Sequence, residues 1–295
     1  MKEFNAGTGI VPEERQTWDL KPHTSDFRHM AILCKQCGRQ YDVTLFQFGR
    51  SVVCECGARL TRRMEIIVGK QHRSVGAEAA GVGFLVPAEA NSLFVYVIRH
   101  GKTVWNESGR LQGQADVELS DEGRAEARLL AAALAAVPFD AAYTSDLRRA
   151  AETAEIILEG RDVPLTRTAA LREEDYGEWS GKTYEEIVEG WPEECKARER
   201  DRVNSRPPGG ESLGELEERV AAQMDEIARA HPRGRVLVVT HGGPAFVFLS
   251  KVMAPDGKLK GDFSVGNCAI NVVAFTGSGW KLERLNDTCH LRDGV

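Results

Sequence analysis

Apolar residues gather in two short runs, each closed by a histidine and a glycine. They are Leu93-Phe94-Val95-Tyr96-Val97-Ile98-Arg99-His100-Gly101 and Val236-Leu237-Val238-Val239-Thr240-His241-Gly242. Such β-branched, glycine-bounded runs predict buried strands of an α/β sheet. Around them the pattern turns helical. Ser120-Asp121-Glu122 opens an amphipathic segment running to about Val137, and Ser145 or Asp146 caps a helix that stops at Gly160, after a short strand ending at Tyr143-Thr144. Thr183-Tyr184-Glu185-Glu186 and Ser212-Leu213-Gly214-Glu215 are capping boxes, and Pro244 fits the first turn of a helix following His241. Two late strands, about 268–275 and 279–285, close the sheet. This alternation predicts an α/β three-layer sandwich with a mostly parallel central sheet. Ligands of such sheets collect outside the carboxyl ends of the strands, which is where Arg99, His100 and His241 fall.

The N-terminal third reads differently. Residues 1–29 are polar and aperiodic, which predicts a poorly ordered segment, and Met30 is an alternative start. Residues 30–70 form a compact β unit. In it Tyr41-Asp42-Val43-Thr44-Leu45-Phe46 and Ser51-Val52-Val53 alternate about Gly49, which predicts a hairpin flanked by cysteine pairs. Residues 71–91 thin into glycine and alanine as a linker, leaving 92–295 as the large domain.

Charge and cysteine usage narrow the classes. The 295 residues carry a net charge of -6, which disfavours a general nucleic-acid or membrane-surface role. No apolar stretch approaches the roughly 20 residues of a membrane span, and the first residues lack a signal-peptide pattern, so a cytoplasmic location is expected. Of seven cysteines, four cluster as Cys34-x-x-Cys37 and Cys54-x-Cys56; Cys195, Cys268 and Cys289 are scattered. The clustered four predict a zinc-ribbon-like unit holding a structural Zn. The second pair is one residue shorter than the usual spacing, so a rubredoxin-like iron site and unligated thiols stay open.

Four segments of the large domain carry a family resemblance. After Arg99-His100-Gly101 comes Thr103-x-Trp105-Asn106, then Gly109-Arg110-x-Gln112-Gly113-Gln114-x-Asp116. Ser145-Asp146-Leu147-Arg148-Arg149-Ala150, Leu171-Arg172-Glu173-Glu174-Asp175-Tyr176-Gly177 and His241-Gly242-Gly243 follow in order. Over roughly residues 92–291 this resembles the histidine phosphatase, or phosphoglycerate mutase-like, superfamily. The resemblance implies the corresponding sandwich fold and a phosphohistidine intermediate on His100. It implies Glu173 as the acid that protonates the leaving oxygen and then activates water, with Glu174 and Asp175 as lesser candidates. His241 would bind the transferring group, beside Arg99, Arg148 and Asn106 as phosphate ligands, with the Gly210-Glu211-Ser212 turn as a secondary contact. Guanidinium groups suit phosphate oxygens, and neutral imidazole is a competent nucleophile, so the chemistry agrees with the resemblance. Arg149 reads as helix surface, and the Ser145 and Thr103 hydroxyls as turn caps. Lys102 stands where the family usually has glutamate or glutamine; it either strengthens anion binding or points to solvent.

Within the superfamily, the interval from Glu173 to His241 reads as one helical stretch plus the 206–212 turn, shorter than the mutases use. With Leu285-Asn286-Asp287-Thr288-x-His290-Leu291, this favours broad-specificity or α-ribazole phosphatases. A phosphoglycerate mutase is the alternative. From another class, the ribbon could make the protein a binding module with a vestigial phosphatase attached. No cofactor is expected at the catalytic site, because arginines and histidines already supply the positive field. The expected partner is a small phosphorylated substrate, not nucleic acid or membrane, and the ribbon would dock on the large domain or make a homo-oligomer contact.

Overall fold

The computed structural model describes residues 31–33, 40–42, 52–53, 59–60, 92–256 and 263–291. The expected N-terminal segment 1–29, the linker 71–91 and the clustered cysteines Cys34, Cys37, Cys54 and Cys56 lie outside the described residues.

Among the described residues, four short strands precede the large domain: β1 (Ala31–Leu33), β2 (Gln40–Asp42), β3 (Val52–Val53) and β4 (Arg59–Leu60). β1 pairs antiparallel with β2, and β3 with β4. Among the described residues β2 takes β1 as its partner and β3 takes β4, while residues 43–51 of the hairpin expected across Gly49 lie outside the described residues. Each hairpin connection carries a cysteine pair in sequence, Cys34 and Cys37 in the first and Cys54 and Cys56 in the second. Alternation alone marks a strand but cannot choose between two neighbours of equal reach.

The large domain is built on β5 (Leu93–Arg99), β6 (Ala141–Ser145), β7 (Leu165–Thr168), β8 (Gly234–Thr240), β9 (Ile270–Phe275) and β10 (Trp280–Asp287). They form one sheet in the order β10-β9-β5-β8-β6-β7. β5, β8, β6 and β7 are mutually parallel, and β9 is antiparallel to both β5 and β10. The helices are α1 (Val104–Glu107), α2 (Asp121–Ala133), α3 (Arg148–Leu158), α4 (Tyr184–Gly190), α5 (Pro192–Arg200), α6 (Leu213–Ala230) and α7 (Gly242–Met253).

Continuous apolar strands are explained by two buried faces. Phe94, Tyr96 and Ile98 of β5, with Leu237 and Val239 of β8, pack against Ala127 and Leu130 of α2 and Ala150, Ala154 and Ile157 of α3. Leu93, Val95 and Val97, with Val236 and Val238, face Leu216, Val220 and Met224 of α6 and Ala245 and Phe248 of α7. The result is a helix–sheet–helix sandwich around a mixed six-stranded sheet.

Most helix starts follow the capping signals. Ser120 accepts from the Gly123 N–H, and the boxes at Thr183 and Ser212 are both formed. α3 is an exception: its N-cap is Leu147, with no side-chain cap, while the Ser145 hydroxyl accepts one step earlier from the Leu147 N–H. The interval from Glu173 to His241 also differs from expectation, since it holds α4, α5 and α6 rather than one helical stretch. α5 is almost wholly polar and so lacks an amphipathic signature; Pro192 starts it and Arg198 anchors it by a buried ion pair to Glu174. Trp179, Leu111, Tyr176, Ile187 and Cys195 form a third, smaller cluster under α4 and α5.

Candidate active site

β5 and β8 lie side by side, with Arg99 in register with Thr240, so the residues that leave them are neighbours. The next residues are His100 and His241, whose rings lie 5.0 Å apart at 61°. The His100 backbone N–H donates to the Thr240 carbonyl at 2.9 Å, extending the ladder one residue beyond the strands. Both imidazoles are buried, His100 at 2% exposure and His241 at 0%.

The hydrogen bonds set the protonation of each ring. His100 Nδ1 sits 2.7 Å from the Gly101 carbonyl, which can only accept, so Nδ1 carries the proton and Nε2 the lone pair. Arg149 Nε donates across 3.3 Å to that Nε2 and across 3.1 Å to His241 Nδ1. His241 Nδ1 is thus an acceptor and its proton is on Nε2, a buried N–H with no partner among the described residues. Burial is the main cause that holds both imidazoles well below the usual 6.5, with Arg149 next for each. Both are neutral near pH 7.

Arg149 is the centre of the site. Its guanidinium is fixed by the Ala115 and Gly113 carbonyls, each 2.7 Å away, and burial lowers its pKa to about 10. Arg149 is 0% exposed, whereas the Arg148 side chain is 60% exposed and pairs with Glu118 at 3.3 Å. The assignment of the two neighbours is therefore reversed: Arg149 enters the site and Arg148 lies on the surface. Adjacent helical positions differ by about 100° in direction, so one residue decides which face an arginine joins.

Arg99 approaches from the other side. Its Nη1 donates to the Val265 carbonyl at 2.8 Å, and its buried Nε has no partner among the described residues. Glu173 completes the ring. Oε2 accepts from the Gly242 N–H at 3.1 Å; Oε1 accepts from the Gly243 N–H at 3.0 Å and the Glu174 N–H at 2.9 Å. A carboxylate at the N-terminus of α7 is well placed for those free donors. A Cβ on Gly243 would lie 2.4 Å from Oε1, so any larger residue there would displace the Glu173 carboxylate. The surrounding protein raises the Glu173 pKa above 4.5 against the pull of Arg149 and Arg99.

The remaining predicted residues sit elsewhere. Asn106 Oδ1 accepts from the Thr103 N–H and hydroxyl, each at 3.0 Å, and so closes the capping box of α1. Ser212 caps α6, and Glu211 pairs with Arg219 at 2.6 Å. Glu174 turns away to Arg198, and Asp175 accepts from the Gly177 N–H at 2.9 Å. Lys102 neither faces the histidines nor hangs in solvent: it binds Glu122 at 2.6 Å and Glu126 at 2.8 Å on α2. The signal for Arg149 was present in the chain. Arg148 begins a charged row with Glu152, Glu155 and Glu159, whereas Arg149 shares its face with Thr153 and Ile157.

Residues 95–288 match the Histidine phosphatase superfamily (branch 1). Phosphoserine phosphatase 1 of Hydrogenobacter thermophilus is 31% identical over 195 residues, which cover 66% of this chain and 92% of that protein. Phosphoglycerate mutase-like protein 4 of Arabidopsis thaliana is 35% identical over 204 residues, 68% of this chain and 87% of that protein. Among solved structures, a putative α-ribazole-5'-P phosphatase from Escherichia coli aligns with a TM-score of 0.62 at 25% identity, covering 67% of this chain and 97% of that one. The chain belongs to the histidine phosphatase superfamily.

Proposed function

From that membership, we propose that residues 92–295 are a catalytic domain hydrolysing small phosphomonoesters through a phosphohistidine on His100. The observation that carries this reading is the convergence of His100 Nε2, His241 Nδ1 and Arg149 Nε at the carboxyl ends of adjacent strands, with Glu173 beside them. The phosphoryl group lies against Arg149, Arg99 and the His241 Nε2–H, which spread their positive field over its oxygens. The His100 Nε2 lone pair attacks phosphorus and forms a P–N bond as the P–O ester bond breaks. Glu173, protonated, gives its proton to the departing oxygen. Water then attacks the same phosphorus and loses a proton to Glu173; the P–N bond breaks and phosphate leaves with His100 neutral again.

These residues supply the charge stabilisation by themselves, so the proposed reaction uses no metal at the catalytic site. Phosphate release from an aryl phosphate, measured with chelator present for wild type and His100→Ala, tests it. Activity in wild type that vanishes in the variant supports the reading, and activity surviving in the variant overturns it.

The mutase-named relative keeps a second reading in play. Isomerisation of 3-phosphoglycerate dependent on a bisphosphate primer would select it. For the N-terminal unit, the reading is a structural Zn held by Cys34, Cys37, Cys54 and Cys56 in a cytoplasmic protein. The cysteine spacing and the two hairpins whose connections contain those pairs support it.

A further inference from the structure

Glu173 sits in a stretch without regular structure, between the 3-10 turn Ala169–Leu171 and the turn Gly177–Trp179. Backbone in such a stretch must find its hydrogen bonds outside itself. Most of them go to one ion pair. Arg219 Nη1 donates to the carbonyls of Ala170 at 3.0 Å and Arg172 at 2.8 Å, and Nη2 to the carbonyl of Glu173 at 2.9 Å. The same guanidinium binds both carboxylate oxygens of Glu211, at 3.0 and 2.6 Å. Glu211 in turn holds the far side: Oε1 accepts from the Asp175 N–H at 2.8 Å, and its own N–H donates to the Asp175 carbonyl at 2.9 Å.

One pair thus clamps the loop before, at and after the acid. The carboxyl end of Glu173 is held by α7, and its backbone by α6. We infer that Arg219, held by Glu211, is a positioning residue for the acid step, fixing the direction from which Glu173 meets the leaving oxygen. This rests on the reading of Glu173 as the acid. Lysine cannot replace it, because a compact ammonium with three donors does not reach three carbonyls and a carboxylate together.

A series of aryl phosphates tests the inference, because a poor leaving group needs protonation and a good one does not. Rates for phenyl, 4-nitrophenyl and 2,4-dinitrophenyl phosphate are measured for wild type, Glu173→Gln, Arg219→Met and Arg219→Lys, with thermal melts as a fold control. If Arg219 positions the acid, Arg219→Met loses about 10-fold or more on phenyl phosphate, with little loss on the dinitrophenyl ester. Glu173→Gln shows the same pattern more strongly, and Arg219→Lys follows it, so the inference stays testable if the Met variant does not fold. Equal loss on all three esters in the Arg219 variants, beside a selective loss in Glu173→Gln, overturns the inference alone. Equal loss in Glu173→Gln as well overturns the acid reading together with it.

Discussion

Arg149 and His241 share a 3.1 Å hydrogen bond that leaves the His241 proton on Nε2, the buried nitrogen away from Arg149. One arginine thereby orders two imidazoles, since the same N–H lies 3.3 Å from His100 Nε2. Arg149→Ala removes both the phosphate donor and this ordering. Its kcat/KM on an aryl phosphate is expected to fall by about 10²- to 10³-fold, the usual cost of losing one preorganised donor. Arg148→Ala, at an exposed site, is expected to stay within about 2-fold. The reverse ranking would return Arg148 to the site.

The Nδ1–H bond from His100 to the Gly101 carbonyl leaves the lone pair on Nε2, which faces Arg149 at 3.3 Å and is the nitrogen that attacks. A trapped intermediate should therefore be phosphorylated on Nε2, not Nδ1. Denaturing at alkaline pH after rapid mixing with substrate, followed by phosphorus NMR, distinguishes the two isomers. The Nδ1 isomer would sink the tautomer assignment.

Activity and stability should respond to pH through the same groups. The nucleophile must be neutral, and burial lowers its pKa, so the acid limb of kcat/KM should lie below 6.5. Glu173 must be protonated, and its raised pKa should put the alkaline limb above 4.5. Stability follows with a definite sign. The unfolded chain binds protons at His100 and His241 more readily than the folded one. Their contribution is complete above 6.5 and is lost as pH falls below it. Melting temperatures that rise on acidification through this window would contradict the neutral pair.

Lys102→Gln separates anion binding from helix anchoring. Because the ammonium is bound to Glu122 and Glu126, every KM should remain unchanged. Stability should drop by about 1–3 kcal/mol, since the Glu126 side chain is 6% exposed and loses its cation, keeping only the backbone N–H of residue 102. A raised KM with unchanged stability would put Lys102 at the substrate.

The cysteine unit is testable apart from catalysis. Protein purified without chelator should contain one zinc per chain by mass spectrometry, lost in a Cys34→Ser, Cys37→Ser double variant. Iron in its place would select the rubredoxin-like alternative.

The two central strands were legible because burial on both faces removes polar positions, and their glycine ends placed both histidines. Three helix starts were legible because capping is local chemistry. The choice between Arg148 and Arg149 turned on a single step around α3, whose N-cap, Leu147, gives no side-chain signal. α5 escaped because Arg198 earns its burial through Glu174, a partner 24 residues away in the chain. Lys102 was ambiguous for the same reason: α2 supplies its partners, and no local pattern records that pairing.

The nucleophile's strand is finished by residues that come late in the chain. Arg99 is held by the Val265 carbonyl and by the Cys268 N–H, and the His100 carbonyl by Asn267 Nδ2. β9, which flanks β5, begins only at Ile270. During synthesis, Asn267 is added 167 residues after the His100 it supports. A nascent chain ending before residue 265 contains every residue proposed for the chemistry, yet cannot assemble the strand edge that aligns them. Phosphatase competence thus waits for residues 265–270, and a product terminated before them would emerge inert.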